Sequence, residues 1–303
     1  MKEVFIGEVI RQKRLKLGIT QEELCDGICE PSNLSRIESG RQGPSKIKLD
    51  VLLQRLGISD ERYYCFLNHE EHRIAELQKD IRVCAEKKDS LNGLQNLKKL
   101  ERLAEAGDGI VQQFILYAKA VLGKQEGIQV VEYLPEEKLK MLEKAILLTC
   151  PHFSVKDIEN GFYGLNEISV IDRIAQIYSQ LGEKEKARDV YCRLLQAIQP
   201  RLEDVPQYAG VLSMVLCHYA VELMQAGLYA EAVEKAQKGW GCCIKYRRYR
   251  YLPELLLVVG EISRNRGEIE DGQKKYRQAY YIFKSIQDNE NAEKVKIRAA
   301  EIF

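Results

Sequence analysis

Residues 5–57 read FIGEVIRQKRLKLGITQEELCDGICEPSNLSRIESGRQGPSKIKLDVLLQRLG, and this stretch decides the fold of the N-terminal part of the chain. Apolar residues recur there at helical spacing, and Gly18 and Gly40 stand where helices would end. Thr20 is followed three residues later by Glu23, which is the spacing of a capping box at a helix start. The stretch therefore predicts a compact bundle of short helices.

The second and third predicted helices are short and closely spaced. Pro31 suits the first turn of the third helix, where its missing N–H is not needed. Leu34 and Ile37 would bury one side of that helix, which leaves Ser32, Asn33, Ser35 and Arg36 on its other faces. Two such helices joined by a tight turn predict a helix-turn-helix, a motif that places its second helix in the major groove of DNA.

The signature T20-QEEL-x-x-G-I-C-x-x-S-x-L-S-R-I-E-S-G, followed by P44-S, is similar to the Xre/Cro-type helix-turn-helix family. The resemblance implies that the third helix is the recognition helix and that Gln21 hydrogen-bonds a phosphate. It also implies that Ser32, Asn33 and Arg36 contact bases and backbone, because Arg can read guanine and Asn can read adenine. Glu38 is structural in that family.

The sequence departs from the family pattern at two places. Cys25 replaces the usual alanine, which is an exchange of one small residue for another. Glu30 and Pro31 are unusual at the start of the recognition helix. Glu30 could repel a phosphate or could accept a hydrogen bond from a cytosine amino group, and the sequence leaves both alternatives open.

Basic residues surround the predicted motif. Arg11, Lys13, Arg14 and Lys16 give the first helix a basic face, and a solvated charged surface is the alternative interpretation. Beside a helix-turn-helix, phosphate contact is favoured, and such contacts position a protein without specifying sequence. The predicted DNA-binding residues are Gln21, Ser32, Asn33, Arg36, Arg41, Lys13 and Arg14.

The composition bounds the remaining possibilities. The formal net charge of the 303 residues is +1, so affinity for nucleic acid must come from a local patch. The first residues contain no apolar signal core, and no apolar run reaches the roughly 18 residues of a membrane span. We expect a cytoplasmic protein without membrane contact, whose nine cysteines are reduced and mostly act as small buried side chains.

From about residue 67 the sequence is helical and repetitive. Three segments align on the turn glycines Gly182, Gly227 and Gly267, which lie 45 and 40 residues apart. A small residue follows five positions after each glycine, where it would let the two helices of a hairpin approach closely. The pattern is similar to the tetratricopeptide repeat, with loops longer than its 34-residue period allows.

The whole chain is therefore predicted to be all-α: a helix-turn-helix bundle followed by a right-handed superhelical array of helical hairpins. Residues 70–106 and 110–149 are assigned as two earlier hairpins by continuity. The expected domains are a DNA-binding domain at 1–66, a repeat domain at 67–288 for ligand binding and dimerisation, and a C-terminal capping helix at 289–303.

In such repeats the first helix of each hairpin lines a concave groove. A lining of amides and carboxylates around an apolar middle would suit an extended peptide, although solvated helix faces are the alternative. Counting back from the turn glycines gives the predicted groove residues Asp172, Gln176, Gln180, Cys217, Val221, Met224, Gln225, Leu257, Glu261, Arg264 and Asn265.

A head and repeat array of this length resemble the Rgg/PlcR-type regulators of Gram-positive bacteria. The resemblance implies a homodimeric transcription factor for quorum sensing that binds double-stranded DNA and a short signalling peptide. The alternative is an interaction adaptor whose array docks another protein. The operator, the ligand, the dimer interface and the direction of regulation are not encoded in any recognisable motif.

Catalytic and cofactor motifs are missing from the sequence. His69 and His72 lie three residues apart, whereas a zinc peptidase helix needs its histidines four apart around a glutamate. The chain has no phosphate-binding glycine loop and no nucleophile elbow. We therefore expect neither an enzyme nor a bound cofactor or metal. The sequence K245-YRRYRY mixes basic and aromatic residues and is interpreted as a helix end with a solvated turn, rather than as a nucleic-acid site.

Overall fold

The computed structural model describes residues 6–58, 69–104, 108–127 and 129–299. The chain divides into two compact units, Met1–Gly182 and Glu183–Phe303, which we call unit 1 and unit 2. Helices dominate both, which confirms the all-α prediction. The predicted domain boundary at residues 66 and 67 and the last four residues of the predicted capping helix lie outside the described residues, so the domain limits stay a prediction.

The N-terminal part of unit 1, which we call the head, contains four helices. They are α1 (Ile6–Leu17), α2 (Gln21–Cys25), α3 (Pro31–Glu38) and α4 (Lys46–Arg55). Their apolar sides meet in one core, as the helical spacing predicted. Its fully buried members include Ile10, Leu24, Leu34, Ile37, Leu52, Leu53 and Leu56.

Local signals set the ends of these helices. The Thr20 hydroxyl accepts from the Glu23 backbone N–H at 3.1 Å, and the Glu23 carboxylate accepts from the Thr20 N–H at 2.6 Å. The predicted capping box is therefore confirmed. Gly18 and Gly40 adopt φ values of 72° and 71°, a left-handed conformation that glycine reaches without steric cost. Leu15 of α1 is 58% exposed and lies outside the core of the head.

Among the described residues, the rest of unit 1 contains five α-helices, a 3-10 helix and one small sheet. The first two pairs, α5 with α6 and α7 with α8, occupy the positions predicted for the two early hairpins. The elements are α5 (His69–Glu86), α6 (Ser90–Leu103), α7 (Gly109–Leu122), β1 (Lys124–Glu126), β2 (Gln129–Val131), α8 (Pro135–Thr149), a 3-10 helix (Val155–Asn160) and α9 (Leu165–Gln180).

The strands β1 and β2 were not predicted. They pair antiparallel, with Lys124 opposite Val131, and the left-handed Gly127 lies between them. Three residues per strand are too few for a recognisable alternation in the sequence. The pair inserts a short β-hairpin between α7 and α8, within the segment 110–149 that was predicted as a helix pair.

Unit 2 contains six helices and a short 3-10 turn (Pro206–Tyr208). Helix α11 packs against α12, α12 against α13, and α13 against α14. The helices are α10 (Lys184–Leu202), α11 (Ala209–Gln225), α12 (Tyr229–Tyr246), α13 (Leu252–Asn265), α14 (Ile269–Ser285) and α15 (Asn289–Arg298).

The repeat glycines have the roles that the sequence predicted. Gly182, Gly227 and Gly267 have φ values of 84°, 76° and 82°, and each directly follows the end of the first helix of its repeat. At Gly272 an added Cβ would lie 2.9 Å from the Gly260 carbonyl oxygen. Helices α13 and α14 are therefore in backbone contact there, which explains the requirement for a small residue.

The C-terminal helix covers an apolar surface of unit 2. Ala292 and Val295 of α15 are buried against Tyr276 and Phe283 of α14. The tail thus forms the amphipathic helix that the sequence predicted. Within the described part of the chain, no helix is both long enough and apolar enough to cross a membrane.

Candidate functional site

Helix α3 presents a polar surface on one side and a core surface on the other. Leu34 and Ile37 are at most 3% exposed, whereas Ser32 and Arg36 are exposed and Asn33 is half-buried. Gln21 is the first residue of α2 and is also half-buried. The packing of α3 therefore leaves the predicted reading residues accessible.

Arg14 is not part of the exposed basic face, and our prediction for it was wrong. Its side chain is 9% exposed and forms two hydrogen bonds with Glu38, of 2.6 and 2.9 Å. A third bond joins its Nη1 to the Ile19 carbonyl at 2.9 Å. Because all three guanidinium nitrogens bond within the head, Arg14 holds α1 to α3 and has no donor nitrogen facing a phosphate.

Glu38 is the centre of this network. Its carboxylate also accepts a 2.7 Å hydrogen bond from the Gln21 side chain, which ties α2 to α3. Burial alone would raise the pKa of Glu38, but the hydrogen bonds from Arg14 and Gln21 and the charge of Arg14 outweigh it and lower that pKa. Glu38 is therefore an ionised structural residue, as the family resemblance implied.

The remaining basic candidates differ in exposure. Arg41, in the loop after α3, is exposed, and Lys13 on α1 is half-buried. Lys46 is buried and its ammonium pairs with Asp50 on the next turn of α4, so it is unsuited to contact a phosphate. The accessible candidates of the head are thus Gln21, Ser32, Asn33, Arg36, Arg41 and Lys13.

Arg55, at the end of α4, joins the head to the rest of unit 1. Its side chain is 2% exposed and its Nη2 donates to Glu167 on α9 at 2.7 Å and to the Thr149 carbonyl at the end of α8 at 2.8 Å. Its Nη1 donates to the Leu24 and Asp26 carbonyls around α2. One buried guanidinium therefore bonds three elements of the chain.

The charge state of this pair follows from its geometry. Burial alone would lower the pKa of Arg55 and raise that of Glu167, but each charge stabilises the other. The net result is a raised pKa for Arg55 and a lowered pKa for Glu167, so both are ionised at neutral pH. Sequence reasoning missed the pair because its members lie 112 residues apart, and no local pattern marks either one.

The first turn of α9 contacts both the head and another helix of unit 1. The Leu165 N–H donates to the Gln54 side chain of α4 at 3.0 Å, and Glu167 binds Arg55. Between them, the Asn166 side chain accepts a 2.9 Å bond from Arg82 of α5. Three successive residues thus connect α4 and α5 through one helical turn.

The accessible stripe of α9 differs by one residue from the predicted lining. Asp172 is 3% exposed and accepts a 2.9 Å hydrogen bond from Gln176. Its neighbour Arg173 is half-buried and lies in line with Gln176 and the exposed Gln180. The accessible stripe of α9 contains Ser169, Arg173, Gln176 and Gln180. Asp172 was predicted to be accessible but is buried, and the accessible residue at that level of the helix is Arg173.

In unit 2, one residue of α11 that was predicted to be accessible is also buried, and the next residue in the chain is accessible instead. Cys217 is 2% exposed, which rules out direct contact with a ligand at the surface, and the half-buried His218 takes its place. Val221 and Met224 are half-buried and Gln225 is exposed, as expected of accessible positions. Cys217 is therefore the second groove prediction that the structure contradicts, and sequence reasoning missed both Arg173 and His218.

The predicted residues of α13 are accessible and are held by neighbours within unit 2. Glu261 is ion-paired with Arg298 of α15 at 3.2 Å, and Arg264 lies 5.5 Å from the centre of the Tyr276 ring. Leu257 is half-buried beside them, and Asn265 contacts the Tyr229 hydroxyl. Together these side chains form a mixed polar and apolar surface on α11 and α13.

Metal-ligating side chains and cysteine thiols are the other groups that could form a chemical site. Among the described residues no cluster of three His, Cys, Asp or Glu side chains could hold a metal ion. Burial raises the pKa of both Cys242 and Cys243, and raises that of Cys25 to about 12, so these thiols are protonated at neutral pH.

Comparison with known proteins identifies the head. Residues 10–62 match the helix-turn-helix family model, so the N-terminal segment is a helix-turn-helix domain of the Xre type. No curated protein sequence matches the chain.

The fold of the whole chain is similar to several solved structures. Bacillus thuringiensis PlcR in complex with the peptide PapR7 and DNA has a TM-score of 0.59 at 21% identity, covering 95% of this chain and 98% of that one. ComR from S. thermophilus in complex with DNA and its signalling peptide ComS has a TM-score of 0.54 at 16% identity, covering 98% and 99%. ComR from Streptococcus vestibularis with its peptide XIP has a TM-score of 0.53 at 16% identity, covering 98% of each chain.

Proposed function

We propose that this protein is a sequence-specific DNA-binding transcriptional regulator and that a short peptide gates it. The observation that carries the first half is the accessible polar side of α3 in a helix-turn-helix domain. The second half is supported by the similarity of fold to PlcR and ComR, which were solved with peptides.

The proposed roles follow from the exposure of each side chain. Arg36 would read guanine with its two-pronged guanidinium, and Asn33 would read adenine. Gln21, Arg41 and Lys13 would hold phosphates and set the register. Ser32 would contact either the backbone or a base edge. Glu30 caps α3 without a side-chain hydrogen bond and is exposed, so it is placed to discriminate between sequences.

A homodimer is part of the proposal. One helix-turn-helix reads only a few base pairs, and two heads on half-sites roughly 34 Å apart would reach useful specificity. In a dimer, the peptide can control the distance and orientation between the two heads. A ligand shifts such an equilibrium only when it binds one arrangement of the heads better than another.

The first turn of α9 is the proposed connection between ligand and DNA. Asn166 is bonded to Arg82 on the side of α5, while Leu165 and Glu167 are bonded to α4 of the head. A peptide that changes the position of α9 would therefore move α4 directly. The connection uses hydrogen bonds and one buried ion pair, all within unit 1.

DNA recognition is tested by the Arg36→Ala variant. The wild-type chain is first used to select its preferred site from random double-stranded DNA, and binding to that site and to a scrambled duplex is then measured by fluorescence anisotropy. Arg36→Ala should lose about 5- to 150-fold of the preference between the two duplexes, because a bidentate base contact contributes about 1–3 kcal/mol of discrimination. Weak binding to the scrambled duplex should survive.

The matched control is Arg102→Ala, which removes an exposed arginine from α6. It should leave the preference unchanged. An Arg36→Ala variant that discriminates as well as the control would show that α3 is not the reading helix. Failure to select any site with the wild-type chain would count against specific DNA binding itself.

A further inference from the structure

We propose that Arg82 and Arg173 form a carboxylate-binding site in unit 1, which takes an anionic group of the gating peptide. The inference rests on the proposed function, because it assumes that the ligand is a peptide. In a peptide the available anions are the C-terminal carboxylate and the side chains of Asp and Glu. The shared chemistry is a carboxylate, and the test below separates the two sources.

Arg173 supplies the first guanidinium. Its Nη1 donates to the Gln176 side-chain oxygen at 2.6 Å, and its charge acts on the Tyr117 hydroxyl. Its Nε is buried and has no hydrogen-bond partner. An unsatisfied buried donor is costly, and a charged acceptor is the partner that would relieve the cost most.

Arg82 supplies the second guanidinium. Its Nη2 donates to Asn166 at 2.9 Å, and its guanidinium carbon lies 4.8 Å from the centre of the Phe114 ring. The charges of Arg82 and Arg173 both act on the Tyr117 hydroxyl. Arg173 also follows Asn166, the hydrogen-bond partner of Arg82, by seven residues, which is two turns along the same side of α9. Arg82 packs near the Phe114 ring and donates one hydrogen bond to the Asn166 amide, so its remaining N–H groups are available to a ligand.

The electrostatic balance of the cluster favours an anion. Neither arginine forms an ion pair with a carboxylate among the described residues. The nearby Glu132 is bound to Lys138 at 2.6 Å, and Glu86 acts on Arg82 from a distance. The buried carboxylate of Asp172 is hydrogen-bonded to Gln176, and that of Glu167 is paired with Arg55. The guanidinium charges of Arg82 and Arg173 therefore remain for an anionic ligand.

A ligand can reach the cluster. Arg82 is exposed and Arg173 is half-buried on the accessible stripe of α9. A cavity of about 450 Å³ opens between α4, α5 and α9, and Arg82, Asn166 and Ser169 lie in its wall. Arg173 follows Ser169 by one helical turn on the same accessible stripe of α9. A carboxylate bound here would contact Asn166, whose neighbour Glu167 holds the head through Arg55.

The test uses three pools of random heptapeptides and the immobilised full-length protein. The first pool has free C-terminal carboxylates and contains no Asp or Glu. The second has C-terminal amides and contains no Asp or Glu. The third has C-terminal amides but includes Asp and Glu at every position. Captured peptides are eluted and quantified by mass spectrometry.

We expect the wild-type chain to capture the first or the third pool at least about tenfold better than the second, since a charge-assisted bidentate contact is worth about one factor of ten or more. Preference for the first pool identifies the C-terminus as the ligand group, and preference for the third identifies an acidic side chain. Equal capture of all three pools would overturn the carboxylate site and leave peptide binding intact. Capture of none would overturn the proposed peptide ligand and the site together.

Two variants assign the preference to the arginines. Arg173→Gln and Arg82→Gln should each remove most of the advantage of the carboxylate pools, while Arg102→Gln on α6 should keep it. Circular dichroism and thermal melting check that each variant is folded. If either folded variant retains the full wild-type preference, that arginine does not bind the ligand and the two-arginine site is refuted.

Discussion

The Glu167→Gln substitution should destabilise unit 1 more than any exposed charge substitution, because it leaves Arg55 charged and buried. Both side chains of the Arg55–Glu167 pair are 2% exposed and their atoms are 2.7 Å apart. The glutamine keeps the size of the side chain, removes its charge and replaces one of its two acceptor oxygens, which bind Arg55 and the Gly164 N–H, with an NH2 group. The experiment therefore measures the loss of the charge together with one hydrogen bond, without a change in packing volume.

The expected magnitude is about 3 kcal/mol, at the lower end of the range for breaking a buried ion pair. The lower end applies because Arg55 keeps three backbone carbonyl partners, those of Leu24, Asp26 and Thr149. The total stability of a typical domain is only about 5–15 kcal/mol, so the loss is large.

Urea unfolding followed by circular dichroism measures the effect, with Glu76→Gln as the matched control. Glu76 pairs with Lys79 on α5 at 3.8 Å, and both side chains are about half exposed or more. Such a pair contributes roughly 0–1 kcal/mol. The Arg55→Met, Glu167→Leu double variant should be more stable than Glu167→Gln, because no uncompensated charge is then buried.

Equal free energies of unfolding for Glu167→Gln and Glu76→Gln would refute the reasoning. That result would mean that the charge on Arg55 is already compensated by the carbonyl groups or by water. A double variant less stable than both Arg55→Met and Glu167→Gln would also contradict it, since the loss would then come from packing and not from charge.

Two further predictions concern the stability of unit 1. Gly7→Ala should lower the melting temperature and cost at least about 1–3 kcal/mol of overpacking, because the new Cβ would lie 1.9 Å from the Ile37 carbonyl oxygen; Gly43→Ala, where an added Cβ meets nothing within 4 Å, is the control. Stability should also fall in acid, because the lowered pKa values of Glu38 and Glu167 stabilise the fold fully only above the unfolded-state value of about 4.3 and lose that contribution as the pH drops through the folded-state values. Urea midpoints between pH 6 and pH 3 should decline less steeply for a Glu38→Gln, Glu167→Gln variant than for the wild-type chain.

The elements that the sequence predicted correctly are those with local causes. The capping box of Thr20 and Glu23 and the turn at Gly18 depend on residues only a few positions apart. The repeat glycines are equally local, because a left-handed turn at a helix end favours glycine whatever surrounds it. For that reason the amino-acid sequence alone is enough to place the helix-turn-helix and the hairpins of unit 2.

The errors arose where a distant partner decides the role of a residue. Arg14 looked like a phosphate contact because it belongs to a basic helix, but Glu38 lies 24 residues away and takes its charge. Asp172 and Cys217 were misplaced because a fixed count of residues cannot follow the drift of a helix with 3.6 residues per turn. Arg55 and Glu167 carried no sequence signal at all, since their pairing exists only in the folded chain.

The strength of the Arg55–Glu167 pair limits how the proposed gate can work. Allosteric coupling between two ligands is typically about 1–3 kcal/mol, whereas separating this pair costs roughly 3–5 kcal/mol. A peptide with ordinary coupling therefore cannot pull Glu167 away from Arg55 while either charge stays buried. Under the proposed function, the head must move together with α8 and α9, and the peptide must act by changing the separation of two such heads in the dimer. Hydrogen exchange with and without a captured peptide distinguishes these modes: the amides of Leu165 and its neighbours at the start of α9 should stay protected in both states, while protection lost there on peptide binding would indicate release of the head.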